Sequence, residues 1–180
     1  MTDRSRLHAA FELTALRLGQ PVLGPMISRG QFDRIAEHVR EVLAASRMLP
    51  DEDKDLLSKA LDDDSARKEF AIALNGLLHG KRSMEERFGH WMGVLSRHGL
   101  ATWPIATIWP FLLHPQRYFP IFPAVFNGQL TDAEATVAPG AAPDWSGYVA
   151  SQRLAHQLRK ARAMDSLLDL YQALTVAARQ

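Results

Sequence analysis

Cysteine is absent from all 180 residues, so disulfide frameworks, thiolate zinc sites, iron–sulfur clusters and cysteine nucleophiles are excluded together. An excess of one charge is missing too. Twenty-one Lys and Arg face 20 Asp and Glu, and a net charge of +1 exerts no general pull toward nucleic acid or an anionic membrane. The longest nearly apolar run, 103–113, is about half the roughly 20 residues of a spanning helix. The first residues, Met-Thr-Asp-Arg-Ser-Arg-Leu-His, are polar where an export signal needs an apolar core, and the expected location is the cytoplasm. Alternating runs of β-branched residues and a repeat of fixed period are both lacking. What remains is a composition of 47% hydrophobic and 23% charged residues, that of an ordinary globular protein with one domain over 1–180.

Helical spacing recurs along the chain, and the fold class read from it is all-α, a single irregular bundle of about six to seven helices. Asp3 opens a first helix to Leu18, followed by a loop over 19–30 where Pro21, Gly24 and Pro25 cluster. Ser28 with Gln31 forms a capping-box pattern ahead of Phe32, Ile35, Ala36, Val39, Val42 and Leu43, the clearest amphipathic stripe. A short acidic helix over 51–61 follows. The next is capped by Asp64 or Ser65 and stopped at Gly80 by a left-handed turn, and another opens at Ser83 with Glu86 and ends at His98-Gly99. Thr131 with Glu134 suggests a brief helix, Asp144 caps one reaching about Arg162, and Ser166 opens the last.

The segment 102–126 interrupts this regularity. It holds five of the ten prolines and seven of the 15 aromatic residues, and Arg117 is the only charged residue from 101 to 131. Pro110 removes a backbone donor, which predicts a kink or a stop there and short helical pieces joined by corners. Such a segment reads either as a core corner or as a rigid groove for a peptide or an unstacked base, with Trp103, Thr107, Trp109, His114, Arg117, Tyr118 and Phe122 as candidate binding residues. Arg117 can fork two hydrogen bonds to a carboxylate or phosphate, and Asp144 or Asp132 would serve it equally well as an internal partner. The leading functional reading is an interaction module that binds a protein partner, or itself as a homo-oligomer, through this segment.

The run Trp103-Pro104-Ile105-Ala106-Thr107-Ile108-Trp109-Pro110-Phe111, with His114-Pro115, Arg117-Tyr118-Phe119 and Phe122-Pro123, resembles a family of uncharacterised bacterial proteins. Its members carry a Trp-Pro, Thr and Pro-Phe segment, a Pro and Arg corner, a Tyr-bearing helix and an Asp-containing terminal helix. The similarity spans about 102–176 and includes Tyr148 and Ala163-Met164-Asp165. The chain departs from the pattern at Phe122, where a basic residue is usual, and at Leu167-Leu168, where a Ser-Phe pair is usual. The resemblance implies a shared helical fold and a shared surface, and brings no activity with it.

A second reading places nucleic acid on the helix after Asp144, where Arg153, His156 and Lys160 share a stripe able to meet two or three phosphates. The same cations suit a helix C-terminus without any ligand. An enzyme built on His114, Arg117 and Tyr118 is a third reading, for which spacing assigns no acid–base partner. Glu86 and His90 are four apart but form no metal set, the acidic clusters at 51–55 and 62–64 lack a calcium-loop pattern, and Ser146 lacks a nucleophile elbow. No phosphate-cradling glycine loop or dinucleotide fingerprint occurs, so neither a metal nor a cofactor is implied.

Overall fold

In a computed structural model the described residues are 3–123 and 142–178, and all of their regular structure is helical, with no strand among them. The short helix read at 131–134, like Phe126 and Asp132, lies outside them. Helix α1 covers Asp3–Leu18 and packs on α3, Phe32–Ser46, whose apolar stripe from Ile35 to Leu43 is buried. Between them 19–30 is helical rather than a loop: α2 spans Gln20–Ser28. Pro21 suits a first turn, and burying Leu23 and Met26 outweighs the missing donor of Pro25. Gly30, at φ 68°, ends α2, with Gly30 N–H bonded to the Ile27 carbonyl and Gln31 N–H to that of Met26. Ser28 therefore belongs to the end of α2 and caps nothing, its hydroxyl donating to the Gly24 carbonyl while Gln31 stands at the start of α3.

Helix α4, Asp51–Asp62, carries three acids in its first turn, where the helix dipole favours them. Asp63, one residue earlier than the sequence reading, caps α5 over Asp64–His79 by accepting from Ala66 N–H at 2.8 Å. Gly80 does end α5, but in an extended conformation at φ −62° rather than a left-handed one. Glycine is needed there for space: a Cβ would lie 2.4 Å from the Gly76 carbonyl oxygen and 2.8 Å from Cδ of Arg87. Helix α6, Met84–Arg97, opens with the Ser83–Glu86 capping box and packs against α5.

Helix α7, Trp103–Leu113, is the axis of the bundle. Every residue from Trp103 to Leu112 is buried, and α1, α4, α5 and α6 all touch it. It does not stop at Pro110. The missing N–H leaves the Ala106 carbonyl without its helical donor, and the indole Nε1 of the fully buried Trp91 donates to that oxygen at 3.1 Å. Thr107 does similar service for the segment beyond, donating to the Trp103 carbonyl and accepting the Ile121 N–H at 2.8 Å. Helices α8, Trp145–Ala161, and α9, Leu167–Ala177, close the fold on this side. Gln152 of α8 clamps Phe119, its Oε1 accepting the N–H at 2.8 Å and its Nε2 donating to the carbonyl at 2.7 Å.

Two predictions follow from these buried polar groups. Thr107→Val leaves the Ile121 N–H unpaired and should lower stability in urea by about 1–3 kcal/mol, whereas Thr107→Ser should recover most of it. The second concerns Asp53, which is buried beneath the start of α7 and accepts from the Thr102 hydroxyl at 2.7 Å. Burial pushes its carboxyl above the usual range, more than the Thr102 bond lowers it, and Glu52 adds to the rise. A native pKa above the unfolded one makes this contribution complete below the unfolded pKa and lost as pH rises through the native value. Asp53→Asn should therefore gain in melting temperature relative to wild type between about pH 4 and pH 7; a constant difference would show that Asp53 does not titrate this way.

Candidate functional site

The aromatic segment divides into a buried part and an accessible part. Trp103, Thr107, Trp109 and Phe122 are each at most 4% exposed, so they pack the core and offer no surface to a partner. Trp109 meets Phe70 edge to face, and Phe122 lies beside Tyr171. Among the described residues the indole N–H groups of Trp103 and Trp109 have no hydrogen-bond partner, so these rings are held by packing. His114 and Arg117 are exposed and Tyr118 is half-buried, all just past the end of α7. There the chain turns, with Arg117 N–H and Tyr118 N–H both donating to the His114 carbonyl.

These three side chains form one wall of a cleft of about 480 Å³. The opposite wall comes from the end of α1, the end of α5 and the first turn of α6, which bring Gly19, His79, Gly80, Met84 and Arg87. Helix ends expose carbonyls that lack donors, and two side-chain donors answer them. His79 donates from Nε2 to the Leu18 carbonyl at 2.7 Å, and Arg87 donates from Nη1 to that of Leu77. The Nε of Arg87 remains buried without a partner. Arg117 lies over the Tyr118 ring, 5.5 Å from its centroid, and makes no side-chain hydrogen bond or ion pair among the described residues. Of the two internal partners read from the sequence, Asp144 accepts Gly147 N–H at the start of α8 and does not pair with Arg117, and Asp132 lies outside the described residues.

No Asp or Glu is among the residues lining the cleft. Two guanidinium groups and two imidazoles thus face one concavity without a compensating carboxylate. The His114 imidazole registers that field. Desolvation by its neighbours lowers its pKa most, and the positive charge of Arg117, then His79 and Arg87, lowers it further.

A second hollow, of about 400 Å³, adjoins the first, and Met84 and Tyr118 line both. Its other wall is α8, which contributes Trp145, Tyr148, Arg153, His156 and Gln157. Tyr148 stacks on Phe88 with centroids 4.6 Å apart, and Trp145 leans against Tyr148 at 5.6 Å. Burial holds the Tyr148 phenol protonated far above its usual range, and its hydroxyl has no partner. Arg153 and His156 of the basic stripe therefore stand beside the wall built by Tyr118, whereas Lys160 does not line this hollow.

Comparison with protein-family models, curated proteins and solved structures finds no match to this chain. The chemistry of the site has to be read from its own side chains. Among the described residues no group of three or more His, Asp or Glu could hold a metal ion, and no helix is long and apolar enough to cross a membrane. Glu86 is engaged in the α6 cap, and His90 is exposed.

Arg87 and Trp145 are absent from the residues nominated by sequence. A signal for Arg87 exists: it sits between Met84 and Trp91 on the inward stripe of α6, where a cation is out of place unless it caps something or lines a cavity. The cleft's electrostatics can be checked at His114. Its imidazole should titrate below the ordinary 6.5 in an NMR pH titration and move back toward that value in Arg117→Ala. An unchanged His114 in that variant would show that Arg117 does not act on it.

Proposed function

We propose that this protein is a binding module whose recognition surface is the polar end of the 103–126 segment, His114, Arg117 and Tyr118, and whose ligand presents a carboxylate or phosphate. The observation that carries the reading is the cleft in which Arg87, Arg117, His79 and His114 converge with no acid in the lining. Its volume lies in the range of small-ligand pockets. Arg117 is exposed, its guanidinium is 5.5 Å from the Tyr118 ring centroid and makes no hydrogen bond among the described residues, which suits it to two parallel hydrogen bonds with an anion. Arg87 is anchored by the Leu77 carbonyl and needs no rearrangement to supply charge behind it.

Binding of pyrophosphate and of a dicarboxylate, followed by calorimetry at low ionic strength, tests this directly. Arg117→Ala should weaken binding about tenfold or more, roughly 1.4 kcal/mol, and Arg117→Lys should recover only part of it. The pH dependence has a fixed sign. His114 is held below its ordinary value and is neutral near pH 7, so an anion gains a cationic neighbour only as pH falls through the lowered pKa. With sulfate as the probe, whose charge is constant in this range, affinity should therefore rise as pH falls below about 7, and His114→Ala should flatten that rise. Absence of binding to both anions, or affinity indifferent to Arg117→Ala, would overturn the reading.

A further inference from the structure

The anion cleft continues into a hollow of different character. Met84 and Tyr118 belong to both, and the Arg117 carbonyl lies 3.4 Å from Nε2 of His156 on α8, so a ligand held at Arg117 adjoins the α8 wall. That wall offers two aromatic rings, Trp145 and Tyr148, the first half-buried and the second beneath it. Above them stand polar side chains of a particular kind. Gln157 is exposed and carries both an amide donor and an acceptor, and the exposed Arg153 supplies further donors, while His156 Nε2 is turned to the Arg117 carbonyl. As in the first cavity, the lining contains no carboxylate. Aromatic faces suit a flat unsaturated ring, and an amide at the edge adds a hydrogen bond where that ring bears heteroatoms.

Resting on the anion-binding reading above, we propose that the ligand joins its anionic group to a planar unsaturated ring, with the anion at Arg117 and Arg87 and the ring lodged between Tyr118 and Trp145. A nucleoside monophosphate has this chemistry, and so does an aryl carboxylate. Arg117 fixes the charged end and Tyr118, which touches both cavities, acts as the divider across which the linker passes. Trp145 supplies the stacking face, and the Gln157 amide meets the edge of the ring.

Four probes separate the parts: adenosine monophosphate, ribose phosphate, adenosine and phenylpropanoate, each titrated into the intact protein. Adenosine monophosphate should bind at least tenfold more tightly than ribose phosphate or adenosine alone. Trp145→Ala should erase that advantage and leave ribose phosphate unchanged. Gln157→Ala, an exposed position whose substitution spares the core, should reduce it about threefold, a change typical of losing one solvent-exposed hydrogen bond. Saturation transfer from the wild-type protein should be strongest at the ring protons, a readout that needs no variant to fold. If phenylpropanoate binds in this manner and adenosine monophosphate does not, the ring-and-anion class stands and its source is a carboxylate. If adenosine monophosphate and ribose phosphate bind equally and both depend on Arg117, the ring subsite is refuted while the anion cleft survives. If no anionic probe binds, both readings fall.

Discussion

A helix without a polar face persists in water only where other helices enclose it, and α7 imposes that condition on the rest of the chain. From Trp103 to Leu112 it buries every residue, so its neighbours must supply apolar surface on all sides. α1, α4, α5 and α6 do so, and two of them, α4 and α6, also pair polar groups at α7. Asp53 of α4 accepts from Thr102, the residue that caps α7. Trp91 of α6 donates to the carbonyl that Pro110 abandons. A proline that would break an exposed helix is tolerated because the orphaned oxygen has a buried donor and the ring is sealed from water.

Enclosure of α7 also explains why the functional surface lies where it does. Aromatic rings crowd around the axis: Phe70 meets both Trp91 and Trp109, and Tyr171 packs against Phe111 and Phe122. Such contacts hold the large rings of the 103–122 segment inside the bundle. The polar groups at its far end, His114 and Arg117, cannot follow them without losing hydration, so the chain turns outward there and runs back to the clamp between Phe119 and Gln152. Packing and exposure meet within five residues. Tyr118 stands at that boundary, half-buried and lining both cavities.

Positive charge collects at the cleft for a backbone reason. The C-termini of α1 and α5 arrive at the same place, and their unpaired carbonyls attract His79 and Arg87. Gly80 lets Arg87 pass close to the α5 terminus. Elsewhere several exposed cations pair with acids, as in Arg17 with Glu41, Arg40 with Asp62 and Arg97 with Glu69. At the cleft a carbonyl rather than a carboxylate holds Arg87, and Arg117 has no carboxylate partner among the described residues, which leaves a net positive field for an anion to neutralise.

Local chemistry along the chain was legible wherever neighbours in sequence supply the partner. The Ser83–Glu86 capping box, the Asp144 and Ser166 caps, the stop at His98-Gly99 and the amphipathic stripe of α3 all stand where residue spacing places them. The loop read at 19–30 and the stop read at Pro110 failed for one reason: both weigh a missing backbone donor against local propensity, while burial of Leu23 and Met26, or a donor from Trp91, lies far off in sequence. The sequence by itself determined the all-α class, most helix ends and the concentration of apolar residues in α7, because these depend on periodicity and capping within a few residues. Only the tertiary structure decided that Trp103, Thr107, Trp109 and Phe122 are core, and that His79, Arg87, His114 and Arg117 share a cleft beside Trp145. Those outcomes depend on which helix ends meet, and residues as distant as Leu18 and His79 become neighbours only through the packing of whole helices around α7.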